Sequence, residues 1–140
     1  MPTWILYALL SMVFAGLTAV LAKYGLKNVS GDAGVAVRTS FVFLLVWINA
    51  IAFRHVNDFG KLTTKDILFL GLSALTTSAS WIFYYRAIKI GEVSTVAVID
   101  KASIVITLLL SFWLLKEPFT WRMAVAAVLI LSGLLVLALK

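Results

Sequence analysis

Residues 93–115 read VSTVAVIDKASIVITLLLSFWLL, and this stretch decides the fold. Only Asp100 and Lys101 carry charge in it. A helix of about 20 mainly apolar residues crosses the hydrocarbon core of a bilayer. The strands of membrane β-barrels instead alternate polar and apolar residues in short segments. The run is too long and too uniform for that pattern. Four more segments share its character: 4–22, 35–53, 67–87 and 123–139. The sequence therefore predicts an all-α integral membrane protein with five transmembrane helices, its residues 1–140 forming one transmembrane domain.

Composition agrees. Hydrophobic residues make up 63% of the chain and charged residues 13%, against about 45–50% and about 25% in ordinary soluble domains. A soluble domain of 140 residues could not hide so much apolar surface. The net charge of +6 is not gathered into a basic run or helix face, which argues against nucleic acid as a partner. The basic residues punctuate the apolar segments, as membrane-flanking residues do. With no cysteine, disulfides, thiolate nucleophiles and cysteine metal sites are excluded. The opening Met1-Pro2-Thr3-Trp4 lacks the basic residues of a signal peptide, so the first segment is expected to be a permanent span.

Five spans put the two termini on opposite sides of the bilayer. The side of the N-terminus, side A, collects Arg54, Lys61, Lys65, Lys116 and Arg122; side B collects Lys23, Lys27, Arg38, Arg86, Lys89 and Lys140. That balance gives the positive-inside rule little to act on. It fits a chain that inserts both ways and pairs with an opposed copy of itself, as in the inverted repeats of secondary transporters.

Polar side chains are costly against lipid, so their angular positions report faces lined by protein or water. Residues three, four or seven apart share a helix face. The fourth span carries Asp100, Ser103, Thr107 and Ser111; the third carries Ser73, Thr77, Ser80 and Tyr84, with Trp81 beside them. The second offers Arg38 and Asn49, eleven apart. In the first, Ser11, Ala15, Thr18 and Ala22 form a narrow strip of small residues suited to helix packing. The fifth reads as a packing or dimer helix with Ala124, Ala127 and Gly133 as small contacts.

The charges sharpen the pattern. Asp100 and Lys101 lie roughly 10–12 Å into the fourth span, and Arg38 about 5 Å into the second, at 1.5 Å per residue. Arg86 sits near the end of the third. All four fall in the side-B half of the bilayer, as the walls of one water-filled vestibule would. Its surplus of positive charge would favour an anionic or zwitterionic solute. The expected substrate-binding residues are Arg38, Thr77, Trp81, Tyr84, Arg86, Asp100, Lys101, Ser103 and Thr107. No catalytic residue, cofactor or metal is expected. Gly71-Leu72-Ser73-Ala74-Leu75 lacks the second glycine of a hydrolase elbow, and the single histidine, His55, belongs to no set with metal-ligand spacing.

Several of these pieces occur together in one known family. Ala15-Gly16 is followed by Lys23-Tyr24-Gly25-Leu26, and Arg38 stands early in the second span. Trp81-Ile82-Phe83-Tyr84-Tyr85-Arg86-Ala87-Ile88 closes the third, and Leu114-Leu115-Lys116-Glu117-Pro118-Phe119-Thr120-Trp121 precedes a final helix containing Gly133. In that order the chain resembles a single EamA-type repeat of the drug/metabolite transporter superfamily, over essentially its whole length. The resemblance implies a multi-pass protein of the plasma (inner) membrane and half of a ten-helix carrier of two inverted repeats. A second copy, as an antiparallel homodimer, would supply the other half. Two departures stand out. Asp100-Lys101 occupies the neighbourhood where many members carry a proline, so gating by a helix break does not carry over. Lys116 replaces the usual small residue before Glu117, which is expected to stabilise the side-A turn. Four-helix multidrug relatives use a glutamate in the first helix, and this first span has no acid. The alternative reading is a non-transporting or heteromeric membrane subunit, such as half of a lipid-linked sugar flippase.

Overall fold

The computed structural model describes residues 2–138; the end of the fifth expected span and Lys140 lie outside them. The described residues are helical and contain no strand. The helices are α1 (Thr3–Gly25), α2 (Gly31–Ala52), α3 (Thr64–Ile90), α4 (Val93–Lys101), α5 (Ser103–Leu114) and α6 (Trp121–Ala138), with a 3-10 segment (His55–Lys61) between α2 and α3. The protein is an all-α membrane protein. Helices α1, α2 and α3, and α4 with α5 taken as one, are each long and apolar enough to cross a bilayer, and α6 is a shorter apolar helix. Contacts divide the chain into two compact units, 1–90 and 91–140.

Local chemistry sets the helix ends. The Ser30 hydroxyl accepts from the Ala33 N–H at 3.2 Å, so α2 starts four residues before the expected position. Thr63 and Asp66 form a reciprocal capping box before α3: the Thr63 N–H donates to Asp66 Oδ2 at 2.9 Å, and the Asp66 N–H donates to Thr63 Oγ1 at 3.3 Å. Thr120 accepts from the Met123 N–H at 3.3 Å and opens α6. Arg54 and Lys116, each just beyond a helix C-terminus, take left-handed backbone with φ of 57° and 55°. The 3-10 segment folds back on α2, where the Trp47 and Phe59 rings meet edge to face at 5.8 Å.

In the first unit the buried apolar side chains among the described residues are Ala19, Leu26, Val35, Tyr85 and Ile88, with Ile88 fully enclosed. All sit where the end of α1, the start of α2 and the end of α3 converge. Gly31 makes that convergence possible. A Cβ there would lie 2.9 Å from the carbonyl carbon and oxygen of Tyr85 and from the Arg86 nitrogen, so α2 and α3 meet backbone to backbone. Most apolar side chains elsewhere face outward, as expected where lipid is the solvent.

In the second unit the fourth span tightens at Ala102 instead of running as one regular α-helix. The Ala102 N–H donates to Ile99 O, and the Val105 N–H to Ala102 O, both at 3.0 Å and both 3-10 bonds. The local change directly follows Asp100 and Lys101. Because residues three apart eclipse in 3-10 geometry, the turn brings Ser103 closer to the face of Asp100 than a regular helix would.

Candidate functional site

Two clefts flank α2 in the first unit. One, of about 810 Å³, lies between α2 and α3 and is lined by Asp32, Thr39, Ser40, Ser78, Trp81 and Arg86, among apolar residues. The other, of about 560 Å³, is lined by Thr18 and Ala22 of α1, by Gly34, Arg38 and Phe41 of α2, and by Tyr85 of α3, again among apolar residues.

Arg38 links the two. Its guanidinium carbon lies 4.3 Å from the centroid of the Trp81 ring and 6.0 Å from that of Tyr85. Guanidinium groups stack on aromatic faces because they are planar, weakly hydrated and attracted by the ring quadrupole. Arg38 forms no ion pair with any described residue, and its Nη1 is buried without a hydrogen-bond partner. A buried unsatisfied N–H costs about 1–3 kcal/mol, more when charged. The site therefore carries a full positive charge with an unmet donor beside an apolar cleft.

Arg86 is different. Its Nε donates to Asp32 Oδ1 at 2.7 Å and its Nη2 to Asp32 Oδ2 at 2.9 Å, a two-pronged pair. Asp32 falls between the first two expected spans, 54 residues from Arg86, and nothing local in the sequence announces the contact. The pair changes the expected charge balance, because Asp32 adds a second carboxylate and Arg86 already has its counter-ion. Asp100 and Lys101 face each other at 3.5 Å in the second unit.

The remaining candidates divide. Trp81 is part-buried and lines the larger cleft, while Thr77 is exposed and lines neither. Tyr84 is part-buried, its ring 6.3 Å from that of Tyr85. The side of α3 facing α2 carries Ser78, Trp81, Ile82 and Tyr85, one residue round from the expected Ser73–Thr77–Ser80–Tyr84 stripe. Sequence reasoning thus missed Asp32, Ser78 and Tyr85; the Tyr84-Tyr85 doublet left open which tyrosine turns inward. In the second unit Ser103 and Thr107 stand on α5, where the Thr107 hydroxyl donates to Ser103 O at 3.1 Å. Ser40, Ser78 and Ser132 likewise donate to the carbonyl four residues back. Such back-bonding satisfies a hydroxyl donor in an apolar solvent and leaves its lone pairs available. Among the described residues no three His, Cys, Asp or Glu side chains converge on a metal-sized site.

Two lysines close the side-B end of the first unit. Lys23 Nζ, on α1, donates to Ile88 O at 2.5 Å and Lys89 O at 3.4 Å, near the end of α3. Lys89 Nζ, on α3, donates to Leu26 O at 2.5 Å and Lys27 O at 3.0 Å, just past the end of α1. Each ammonium meets carbonyls at or just beyond the end of the other's helix, where the dipole favours positive charge.

Apolar helices of spanning length define a multi-pass membrane protein, and the first unit carries a cationic, aromatic-lined cleft. Residues 2–139 match the EamA-like transporter family. The chain belongs to that family. It is 35% identical over 136 residues to an uncharacterized transporter in the cobO 3' region of a Sinorhizobium species, covering 97% of this chain and 96% of the relative. No solved structure matches it significantly.

Proposed function

We propose that two copies of the chain, inserted in opposite orientations, form a carrier in the inner membrane. The carrier moves small anionic or zwitterionic metabolites by alternating access and performs no catalysis. The observation that carries this reading is Arg38, a cation held on Trp81 with no counter-ion among the described residues. The residues proposed to serve that solute are Arg38, Thr77, Trp81, Tyr84 and Arg86 of the first unit and Asp100, Lys101, Ser103 and Thr107 of the second. The near-equal distribution of lysine and arginine between the two sides supports opposed insertion. The relative has nearly the same length, which supports a single repeat as a working unit.

Reconstitution tests the reading. Purified chain in liposomes is expected to take up small anions, with Arg38→Gln reducing uptake severely. Inactivity across anionic, zwitterionic and cationic solutes would instead favour a subunit of a heteromer. Reporter fusions at both termini test insertion: each is expected to report from both compartments. A single orientation would exclude the antiparallel pair.

A further inference from the structure

The two arginines at the α2–α3 junction divide the electrostatic work. Arg86 is engaged by both oxygens of Asp32, so an incoming anion would have to displace a carboxylate already in place. Arg38 has no such competitor, and among the described residues it is the only cation lining the smaller cleft. One guanidinium balances one negative charge. A phosphate dianion would need a second cation or a cluster of backbone N–H groups, and the lining supplies neither. The planar donors of Arg38 match the two oxygens of a carboxylate. The surrounding Leu21, Val37, Phe41 and Leu45 accept an apolar body, and about 560 Å³ lies within the range of small-molecule sites.

We infer that Arg38, on its Trp81–Tyr85 platform, recognises the carboxylate of a small organic monoacid whose apolar part lies in the cleft between α1 and α2. This rests on the reading of the chain as a carrier and narrows its solute class. Arg86, paired with both oxygens of Asp32, lines the site without contacting the carboxylate. Trp81 and Tyr85 are positioning residues: they hold the guanidinium flat and keep competing water from its faces.

The test is equilibrium binding to the purified full chain, using radiolabelled phenylacetate with benzoate and hexanoate as further acids. The acids are expected to compete with one another. Phenylacetamide, phenethylamine and inorganic phosphate are expected not to. Arg38→Gln is expected to weaken binding on the order of tenfold or more, as loss of a charged two-pronged contact does. Arg38→Lys, which keeps the charge without the fork, falls between. Should Arg38→Gln fail to fold, Arg38→Lys and Trp81→Leu carry the test through the same competition series. Equal binding by the neutral amide, displacement by phosphate, parental binding by the Arg38 variants or no binding of any monoacid overturns the inference. Oleate binding without phenylacetate binding also overturns it, by assigning the cleft to a lipid. Parallel liposome uptake separates the two readings. Arg38-dependent binding without uptake removes the carrier and leaves the site; anion uptake indifferent to Arg38 removes the site and leaves the carrier.

Discussion

Lys23 and Lys89 cap each other's helices. The ammonium of Lys23 reaches Ile88 O and Lys89 O near the end of α3, and that of Lys89 reaches Leu26 O and Lys27 O just beyond α1. Two C-terminal ends that would repel as parallel dipoles are thereby joined. Neither lysine is available to a solute while this clasp holds.

Replacing either lysine with methionine keeps the apolar stem and removes the donor. Each variant is expected to lose about 1–2 kcal/mol, the range of charge-assisted bonds at a helix end. Thermal unfolding in detergent measures the loss. Because both lysines hold the same two ends, the double variant is expected to lose less than the sum of the singles. Strict additivity would mean that the two caps act separately.

Gly31→Ala is expected to be destabilising. Its methyl would meet the backbone of Tyr85 and Arg86 at 2.9 Å, and backbone cannot rotate aside. Overpacking of this kind costs about 1–3 kcal/mol. Gly71→Ala meets nothing within 4 Å and is expected to stabilise α3 by about 0.5–1 kcal/mol, the helical gain of alanine over glycine. A lower midpoint for the Gly31 variant beside a raised one for the Gly71 variant confirms the crossing.

The Arg86–Asp32 pair is predicted to be reciprocal. Asp32→Asn and Arg86→Gln should lower the unfolding midpoint in the same direction, and the exchange Asp32→Arg with Arg86→Asp should recover part of the loss. The side chains are 56% and 57% exposed, so the effect is modest and shrinks with added salt. An exchanged pair no better than either single variant would show that the contact does not hold the junction.

Arg54 and Lys116 sit in left-handed backbone just past helix ends, where glycine is the usual occupant. Arg54→Gly and Lys116→Gly are each expected to stabilise by about 0.5–1 kcal/mol. The calorimetric midpoint checks this. A loss would show that the side chain contributes more than its backbone costs.

The spans were legible because hydrocarbon demands long apolar runs, and that demand is written residue by residue. Helix ends were legible where a side chain caps its own turn, as Thr120 does. The start of α2 was hidden because Gly31 and Asp32 read as linker residues; only the backbone contact with Tyr85 and Arg86 explains them. The facing side of α3 was misjudged by one residue. Hydroxyls in an apolar run suggest a wet face, yet several are satisfied by their own helix and carry little directional information. Arg38 was singled out for its charge, whereas its lack of a counter-ion and its seat on Trp81 are properties of the packing.

The buried cluster of Leu26, Val35, Tyr85 and Ile88 has a consequence for biogenesis. Its members come from chain segments about 60 residues apart, and the lysine bonds beside it span 65 and 63 positions. During synthesis the first two helices therefore enter the bilayer as an unfinished hairpin, held by lipid alone, until the tail of the third emerges to complete their seam. Truncation before Tyr85 would leave that hairpin inserted and unlocked, a ready target for membrane quality-control proteases.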